Sequence, residues 1–330
     1  MKTLLGIMAG LALSINTVAA SPFEGAWCLT SPSGGAVWLN VEDNPGGLSG
    51  VLMWEVGGVD PVQSIREEGE ELVITRFHQK WTMTSKGMRR ERVGTDTLRA
   101  TTNDNQMSML LDRQRVDGTM LPTQRMHGTR SKPMPGRPDL STLQFGDPIE
   151  LFDGESLDGW RLVNPEDNNA WSANDGILTN TPTLENGENP KQFGNLRTDR
   201  EFEDFRLQLD LRLPPNGNSG IYLRGRYEVQ VNDSYGRPSG RMGIGGIYGR
   251  IIPSENAAGP PGEWQTFDII LADRHVTVRL NGKLVIDNQP VEGCTGGAIS
   301  SDDEKPGPIY FQGDHTAVEY RNIVLHPRVR

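Results

Sequence analysis

Four polar side chains alternate with three apolar ones in the stretch RYEVQVN, residues 226–232. The polar side chains are those of Arg226, Glu228, Gln230 and Asn232. The apolar side chains are those of Tyr227, Val229 and Val231. A period of two predicts a β-strand whose apolar face lies in a core. A guanidinium, a carboxylate and two amides can all hydrogen-bond, so we expect the polar face to form the floor of a site on the concave side of a sheet.

Other polar and aromatic residues can contribute to the same site. They are Tyr222, Arg224, Tyr248, Gln312, Asp314 and His315. A turn or bulge at Gly225 would put Arg224 beside Glu228. Arginine, carboxylates, amides and an imidazole together suit a polyhydroxylated ligand, and Tyr222 and Tyr248 offer rings on which a sugar can stack. Each stretch taken alone is more often a solvated strand face.

The signatures of several other chemistries are incomplete. The segment MGIGGIYG, residues 242–249, lacks the lysine of a phosphate-binding loop. The chain has no GxSxG elbow and no HExxH pair, no metal-ligand set is legible, and no cofactor is expected. A net charge of −10 disfavours nucleic acid as a partner, because phosphate binding needs a basic surface.

The residues around these candidates indicate an all-β chain of two domains. We expect a signal peptide at residues 1–20, a small antiparallel β-barrel-like domain at 21–130, a Pro-rich linker at 131–146 and a β-sandwich at 147–330. The barrel is predicted as a meander, and its opening Gly25-Ala26-Trp27 is similar to the start of lipocalin-like barrels. We expect few contacts across the linker, so that the second domain folds alone.

Export is indicated by the first 20 residues, which combine Lys2, a short apolar run and the small residues before Ser21. Cleavage near Ala20 would leave a secreted or periplasmic protein. No later stretch approaches the roughly 20 apolar residues of a membrane span. Cys28 and Cys294 leave two alternatives, a disulfide between domains or two buried thiols, and the second is favoured. The oligomeric state stays open.

Seven segments of the second domain carry a specific resemblance. They are LFDGESLDGW, GILTN, DFRLQLDLRL, NSGIYLR with YEVQVND, GEWQTFDI, LNGKLVIDN and IYFQGDHTAVEYRNI. In this order and spacing they resemble the 3-keto-disaccharide hydrolase family over about residues 147–328. The resemblance implies a concanavalin A-like jelly-roll sandwich, frequent secretion, and cleavage of glycosides whose sugar is oxidised at C3.

The resemblance also implies which residues form the site. The family's motif positions correspond here to Arg224, Glu228, Gln230, Gln312, Asp314 and His315. Two departures leave the substrate range open: Arg226 adds a second cation, and the glycine-rich segment from Gly236 to Gly249 does not align.

The implied chemistry begins with proton removal. A ketone at C3 acidifies the hydrogen at C2, so a base can form an enolate that expels the group at C1, and water addition completes a net hydrolysis. His315 is the first choice for the base and Glu228 the second, with Arg224 and Gln230 stabilising the enolate. A metal could replace the arginine. The alternative function is a secreted, non-catalytic carbohydrate-binding protein, since such sandwiches are also binding modules.

Overall fold

A computed structural model describes residues 20–84, 87–182 and 193–329, so the predicted signal peptide lies outside it except for Ala20. The described residues form strands in three sheets and one short 3₁₀ turn at Leu140–Thr142, which confirms the predicted all-β fold class. Among them, no helix has the length and apolar character that a membrane span requires.

The first domain is one continuous antiparallel sheet. Its strands are β1 (Gly25–Thr30), β2 (Ala36–Asn44), β3 (Gly47–Trp54), β4 (Asp60–Pro61), β5 (Ser64–Glu68), β6 (Glu71–Thr84), β7 (Gly87–Asn103), β8 (Gln106–Arg115) and β9 (Gln124–Arg130). The order is β4-β3-β2-β1-β9-β8-β7-β6-β5. Every strand follows its neighbour in sequence except at the β1–β9 seam, which joins the two ends of the domain.

The remaining gap in this sheet is bridged by the β4–β5 connection. The backbone amide of Val62 donates to the carbonyl of Gly50 in β3 (3.0 Å), and the backbone amide of Gln63 donates to the carbonyl of Thr75 in β6 (2.8 Å). Inside lie fully buried side chains from alternate strand positions. Examples are Trp27, Leu29, Leu39, Leu72, Ile74, Leu98 and Met109. The predicted barrel-like meander is therefore confirmed.

The second domain is a jelly-roll sandwich of two sheets. Its strands are β10 (Gln144–Phe145), β11 (Ile149–Glu150), β12 (Trp160–Leu162), β13 (Trp171–Asn174), β14 (Ile177–Asn180), β15 (Leu196–Thr198), β16 (Phe205–Arg212), β17 (Asn218–Leu223), β18 (Tyr227–Asn232), β19 (Gln265–Ala272), β20 (His275–Leu280), β21 (Lys283–Pro290), β22 (Tyr310–Phe311) and β23 (Val318–Val329). One sheet runs β13-β14-β23-β16-β19-β20-β21, with β10 and β11 also on β23, and the other runs β12-β15-β22-β17-β18.

The alternation of apolar residues explains why these two sheets pack together. Strand β16 reads FRLQLDLR, and its first, third, fifth and seventh side chains are buried. They join the apolar side chains of β18 and β22 in one hydrophobic core. Burial of apolar surface on both inner faces is the main stabilising contribution of a sandwich. The outer face of the five-stranded sheet is left for other residues to cover.

The Pro-rich segment is docked on the sandwich. Ser131 donates its hydroxyl to a carboxylate oxygen of Asp303 (2.7 Å), and the Asn288 side chain donates to the carbonyl of Pro138 (2.8 Å). Prolines cannot donate backbone hydrogen bonds, so carbonyls and flanking side chains make these contacts.

Contacts between the barrel and the sandwich contradict the expectation that few would form. The hydroxyl of Ser301 donates to the carbonyl of Leu29 (2.8 Å), and the backbone amide of Gly297 donates to the carbonyl of Glu55 (2.7 Å). The guanidinium of Arg250 lies 4.5 Å from the ring centre of Trp38. The two domains thus share a buried interface.

Both cysteines belong to this interface. Cys28 and Cys294 are free, buried, and part of one small apolar cluster with Trp38 and Met53. Burial raises the pKa of each thiol to about 12. The prediction of two buried thiols is confirmed, and both are held in the unreactive protonated form.

Candidate active site

The hairpin of β17 and β18 builds the centre of the candidate site. Its two strands pair from Asn218 with Asn232 to Leu223 with Tyr227. The connection is tight because two residues adopt positive φ angles, 54° at Arg224 and 63° at Gly225. Such a turn matches the twist of the strands it joins.

The two faces of β18 are both covered. As predicted, Tyr227, Val229 and Val231 lie in the sandwich core. On the outer face, Glu228 is 4% exposed and Gln230 is 2% exposed. This face is therefore neither a solvated strand surface nor an open groove, but a polar layer under other parts of the chain.

Glu228 is the carboxyl group at the centre of this layer. One of its oxygens lies 2.9 Å from the phenol oxygen of Tyr222, its neighbour across the hairpin. Its side chain lies over Gly220, where an added Cβ would come 2.7 Å from Oε1, so only glycine leaves room for it. Burial is the main cause that raises the pKa of Glu228, to about 8; the charge of Asp314 adds to the shift, and Tyr222 and His315 oppose it.

The single proton of the Tyr222 hydroxyl has two possible acceptors. The phenol oxygen lies 2.8 Å from the carbonyl oxygen of Gly296 as well as 2.9 Å from Glu228. A carbonyl can only accept, so the hydroxyl must donate to Gly296 if both contacts are hydrogen bonds. Glu228 must then supply the proton of the second contact. A protonated Glu228 satisfies both contacts, in agreement with its raised pKa.

His315 lies at the rim of the site and is the more accessible of the two predicted catalytic residues. Its side chain is 43% exposed, and Nδ1 lies 2.7 Å from a carboxylate oxygen of Asp314. The hydrogen bond to Asp314 is the main cause that raises the pKa of His315; the charges of Asp314 and Glu228 add to it and burial opposes it. The imidazolium form is thereby favoured, and Nε2 has no hydrogen-bond partner among the residues that the structure describes.

Two amides of the layer carry buried oxygens without a partner among the described residues. They belong to Gln230 and Gln312. Gln230 pairs in register with Gly220. The backbone carbonyl of Gly220 accepts from the backbone amide of Gln312 (3.0 Å). The two residues therefore lie beside Gly220 and the Glu228 side chain that packs over it. A buried acceptor without a partner costs free energy unless a ligand or water donates to it, so both oxygens are available to accept from a ligand or from water.

The two predicted substrate-binding arginines contact a loop instead of the layer around Glu228. Arg224 donates to the carbonyls of Asp303 (2.8 Å) and Lys305, and Arg226 donates to the carbonyl of Lys305 (2.7 Å). Their guanidinium groups fix loop 303–306 at the turn end of the hairpin. Arg224 was expected to lie beside Glu228. Its guanidinium instead donates to backbone carbonyls about 80 positions later in the chain.

Asn232 also holds the chain rather than facing a ligand. Its amide nitrogen donates to the carbonyl of Met242 (2.6 Å), within the glycine-rich segment that the sequence could not align. That segment runs along the free edge of β18. The backbone amide of Gly245 donates to the backbone carbonyl of Gln230 (2.8 Å), and the backbone amide of Tyr248 donates to the backbone carbonyl of Glu228 (3.0 Å). Tyr248 is thus tied to the catalytic candidate through its backbone.

Several residues of the site were not predicted. Tyr310 stacks on Tyr222 with ring centres 4.0 Å apart, and the side chain of Asn195 donates to the Tyr310 hydroxyl (3.3 Å). The motif IYFQGDH places Tyr310 two residues before Gln312 on the same strand face, which was a usable signal. Gly296 had no such signal, since its contact with Tyr222 joins distant parts of the chain.

A cavity of about 560 Å³ lies beside the site rather than over Glu228. It is lined by barrel residues, among them Trp54, Arg76 and Phe77, and on the sandwich side by Tyr248. Within the described ranges, no three His, Cys, Asp or Glu side chains cluster as metal ligands would.

The sandwich matches a known family. The model of the 3-keto-alpha-glucoside-1,2-lyase-like domain matches residues 147–326. No curated protein matches the chain.

Solved structures resemble about half of the chain. Two candidate glycosyl hydrolases from Parabacteroides distasonis share 20% and 24% sequence identity with it. The first alignment covers 54% of this chain and 92% of the other, with a TM-score of 0.44. The second covers 55% and 100%, with a TM-score of 0.39. A β-glucanase from Bacillus licheniformis shares 13% identity over 56% of this chain and 99% of its own, with a TM-score of 0.36.

Proposed function

The chain belongs to the family of 3-keto-alpha-glucoside-1,2-lyase-like domains through residues 147–326, and on this premise we propose that it cleaves 3-keto-glycosides. Family membership gives the carbohydrate-acting role. The observation that carries the finer proposal is Glu228, a buried carboxyl group with a pKa of about 8 beside Tyr222. Perturbed titratable groups of this kind are typical of catalytic acids and bases.

The reaction starts at C2 of the oxidised sugar. A base takes the C2 proton, and the electron pair of that C–H bond forms an enolate with the C3 carbonyl. The enolate then re-forms the ketone as a double bond appears between C1 and C2 and the C1–O bond breaks. The leaving oxygen takes a proton. Water addition, with oxygen to C1 and a proton to C2, gives the free 3-keto sugar.

Glu228 suits the role of the base better than His315, the first choice from the sequence. A carboxylate whose pKa is raised to about 8 by burial is a stronger base than an ordinary one. The raised pKa of His315 favours its imidazolium form, which suits the acid that protonates the leaving oxygen. We therefore assign proton removal to the ionised form of Glu228, whose share grows as the pH approaches 8, and proton donation to His315, with Asp314 orienting the ring.

The unpaired oxygens of Gln230 and Gln312 would hold the sugar between these two groups. Each amide oxygen can accept from a sugar hydroxyl, and a polyhydroxylated ring supplies several such donors. A ligand that donates to both removes the cost of two unpaired buried acceptors.

The test is an incubation of the purified protein, with both barrel and sandwich, with a 3-keto-glucoside and with its unoxidised parent. Release of the aglycone from the keto substrate alone supports the proposal, because only the ketone acidifies C2. Solvent deuterium at C2 of recovered substrate would support reversible deprotonation by Glu228. Equal release from both substrates would contradict the mechanism.

The alternative, a non-catalytic carbohydrate-binding protein, predicts a different outcome: binding of the keto sugar without release of its aglycone. We also propose export to the periplasm or beyond, with cleavage near Ala20, since residues 1–20 have the pattern of a signal peptide. Mass spectrometry of the protein from a culture would detect a new terminus near Ser21.

A further inference from the structure

The cavity beside the site has walls built by the barrel. The guanidinium of Arg76 lies 4.2 Å from the ring centre of Trp54, and its Nε donates to Asp96 (2.9 Å). Asp96 is fully buried and is also bound by Arg113 (2.6 Å). The buried carboxylate therefore holds the Arg76 guanidinium over the Trp54 ring. A wall fixed in this way is prepared for a ligand before the ligand arrives.

The walls combine aromatic rings with hydrogen-bonding and positively charged groups. Trp54 and Phe77 line the cavity together with the amides of Gln63 and Gln79. Arg76 shares the single carboxylate of Asp96 with Arg113, and Arg90, which also lines the cavity, lies 2.8 Å from a carboxylate oxygen of Asp60. The exposed Lys80 lines the cavity as well, so its wall carries positive charge. Apolar surface with a few convergent polar groups, in a volume of about 560 Å³, is typical of sites for small ring-shaped ligands.

Two connections join this cavity to Glu228. Tyr248 lines it, and the backbone of Tyr248 donates to the carbonyl of Glu228 (3.0 Å). The second connection is the barrel loop 55–58. The carbonyl of Glu55 accepts from the backbone amide of Gly297 (2.7 Å). The preceding residue, Gly296, has the carbonyl that the Tyr222 hydroxyl contacts. Residues 56–58 of the same barrel loop line the cavity.

We propose that this cavity, built largely by the barrel, is where the sugar ring that leaves from C1 of the substrate binds. The inference rests on the proposed function, because it places the leaving group next to the base that acts on the keto ring. The barrel, which lies outside the family match, would then select substrates while the sandwich performs the chemistry. Its aromatic walls suit the apolar faces of a sugar, and its amides suit the hydroxyls.

Gly58 offers a way to block the cavity without touching the catalytic layer. It lines the cavity, its φ angle is ordinary, and a Cβ added there meets no atom within 4 Å. Gly58→Trp should fill part of the volume. Gly46→Trp is a matched control, since Gly46 also has open space around its Cβ but does not line the cavity. Phe77→Ser, at a side chain 38% exposed, removes one aromatic wall instead of filling the space.

The experiment compares two substrates with the same keto ring, a 3-keto-disaccharide and a methyl 3-keto-glucoside. Gly58→Trp and Phe77→Ser should lower kcat/KM for the disaccharide by roughly tenfold or more and leave that of the methyl glycoside within about twofold. Gly46→Trp should leave both unchanged. Equal losses on both substrates, or no loss on the disaccharide in either folded variant, would overturn the inference.

A binding measurement separates this inference from the proposed function. Calorimetric titration with the unoxidised disaccharide and with methyl glucoside needs no turnover. If the wild-type protein cleaves neither keto substrate, the proposed function fails, and weaker binding of the disaccharide alone in Gly58→Trp would still support the cavity as a sugar site. Disaccharide binding that is absent in the wild type, or unaffected in both variants, would refute it.

Discussion

Asp96 in the barrel and Glu228 in the sandwich are both buried carboxyl groups on β-strands, yet their pKa values move in opposite directions. Asp96 is bound by the guanidinium groups of Arg76 and Arg113. Burial acts to raise its pKa, but the hydrogen bonds and charges of the two arginines outweigh burial and lower it. Glu228 has a phenol, Tyr222, as its hydrogen-bond partner, so burial prevails and raises its pKa to about 8.

The difference teaches that burial alone does not decide what a carboxyl group does. Two guanidinium groups make Asp96 a permanently charged anchor that holds the wall of a cavity. A neutral partner leaves Glu228 near its titration point at neutral pH, where it can exchange a proton. The same fold therefore contains one carboxyl group fixed for structure and one kept available for chemistry.

The largest effect that tests this comparison is on catalysis. Glu228→Gln should lower turnover of a 3-keto-glucoside by about a hundredfold to ten-thousandfold, the usual effect of removing a general base. Amide and carboxyl groups have nearly the same shape, so the fold should be kept, as circular dichroism would show. Glu263→Gln, at an exposed glutamate, is the control and should have full activity. Near-normal turnover in folded Glu228→Gln would remove Glu228 from the mechanism.

The next effect is on stability and concerns Asp96. Asp96→Asn leaves Arg76 and Arg113 partly buried without their anion, so the free energy of unfolding should fall by about 3–5 kcal/mol in denaturant titrations. Asp287→Asn breaks an exposed pair with Arg137 and should cost less than about 1 kcal/mol. Equal losses would mean that Asp96 is not a structural anchor.

A third effect has the opposite sign and concerns the stability of Glu228→Gln. The folded-state pKa of Glu228 is raised from 4.5 to about 8, so between these pH values folding takes up a proton. The wild-type free energy of unfolding should therefore fall as the pH rises from 4.5 to 8. The Gln variant has no carboxyl group to ionise, so it avoids this loss of stability. It should be more stable than the wild type by ~4 kcal/mol at pH 8, with no gain at pH 4. A gain that does not depend on pH would contradict the raised pKa.

The smallest effect concerns His315 and depends on the leaving group. His315→Gln should slow release of a poor leaving group such as methanol by roughly tenfold to a hundredfold, but hardly affect nitrophenol, which leaves without a proton. Asp314→Asn removes the main cause of the raised His315 pKa, so the alkaline limb of kcat/KM should move to lower pH. An equal loss with both leaving groups would show that His315 is not the acid.

The sequence predicted what depends on local alternation. The period of two in RYEVQVN predicted which side chains of β18 enter the core, and strand-like runs joined by short loops predicted the barrel. Contacts between distant segments could not be predicted in this way. Arg224 and Arg226 bind carbonyls of loop 303–306, and nothing in their own neighbourhood indicates that loop.

The environment of the two carboxyl groups was likewise beyond the sequence. Asp96 meets Arg76 and Arg113 only because β6, β7 and β8 are neighbours in register, and Glu228 meets Tyr222 only across the hairpin. A pKa depends on these neighbours and on depth of burial. Residue types can therefore suggest catalytic candidates, but only the tertiary structure separates a base from an anchor.

The contact between loop 55–58 and Gly296 also limits how this protein can evolve. A Cβ on Gly296 would collide with the backbone of Gly57, which cannot move away as a flexible side chain could. Even alanine there would push barrel and sandwich apart. The two halves of the gene are therefore expected to accumulate substitutions jointly around this contact. Recombination with a foreign barrel should succeed only when the loop of that barrel also has a residue without a side chain at this position.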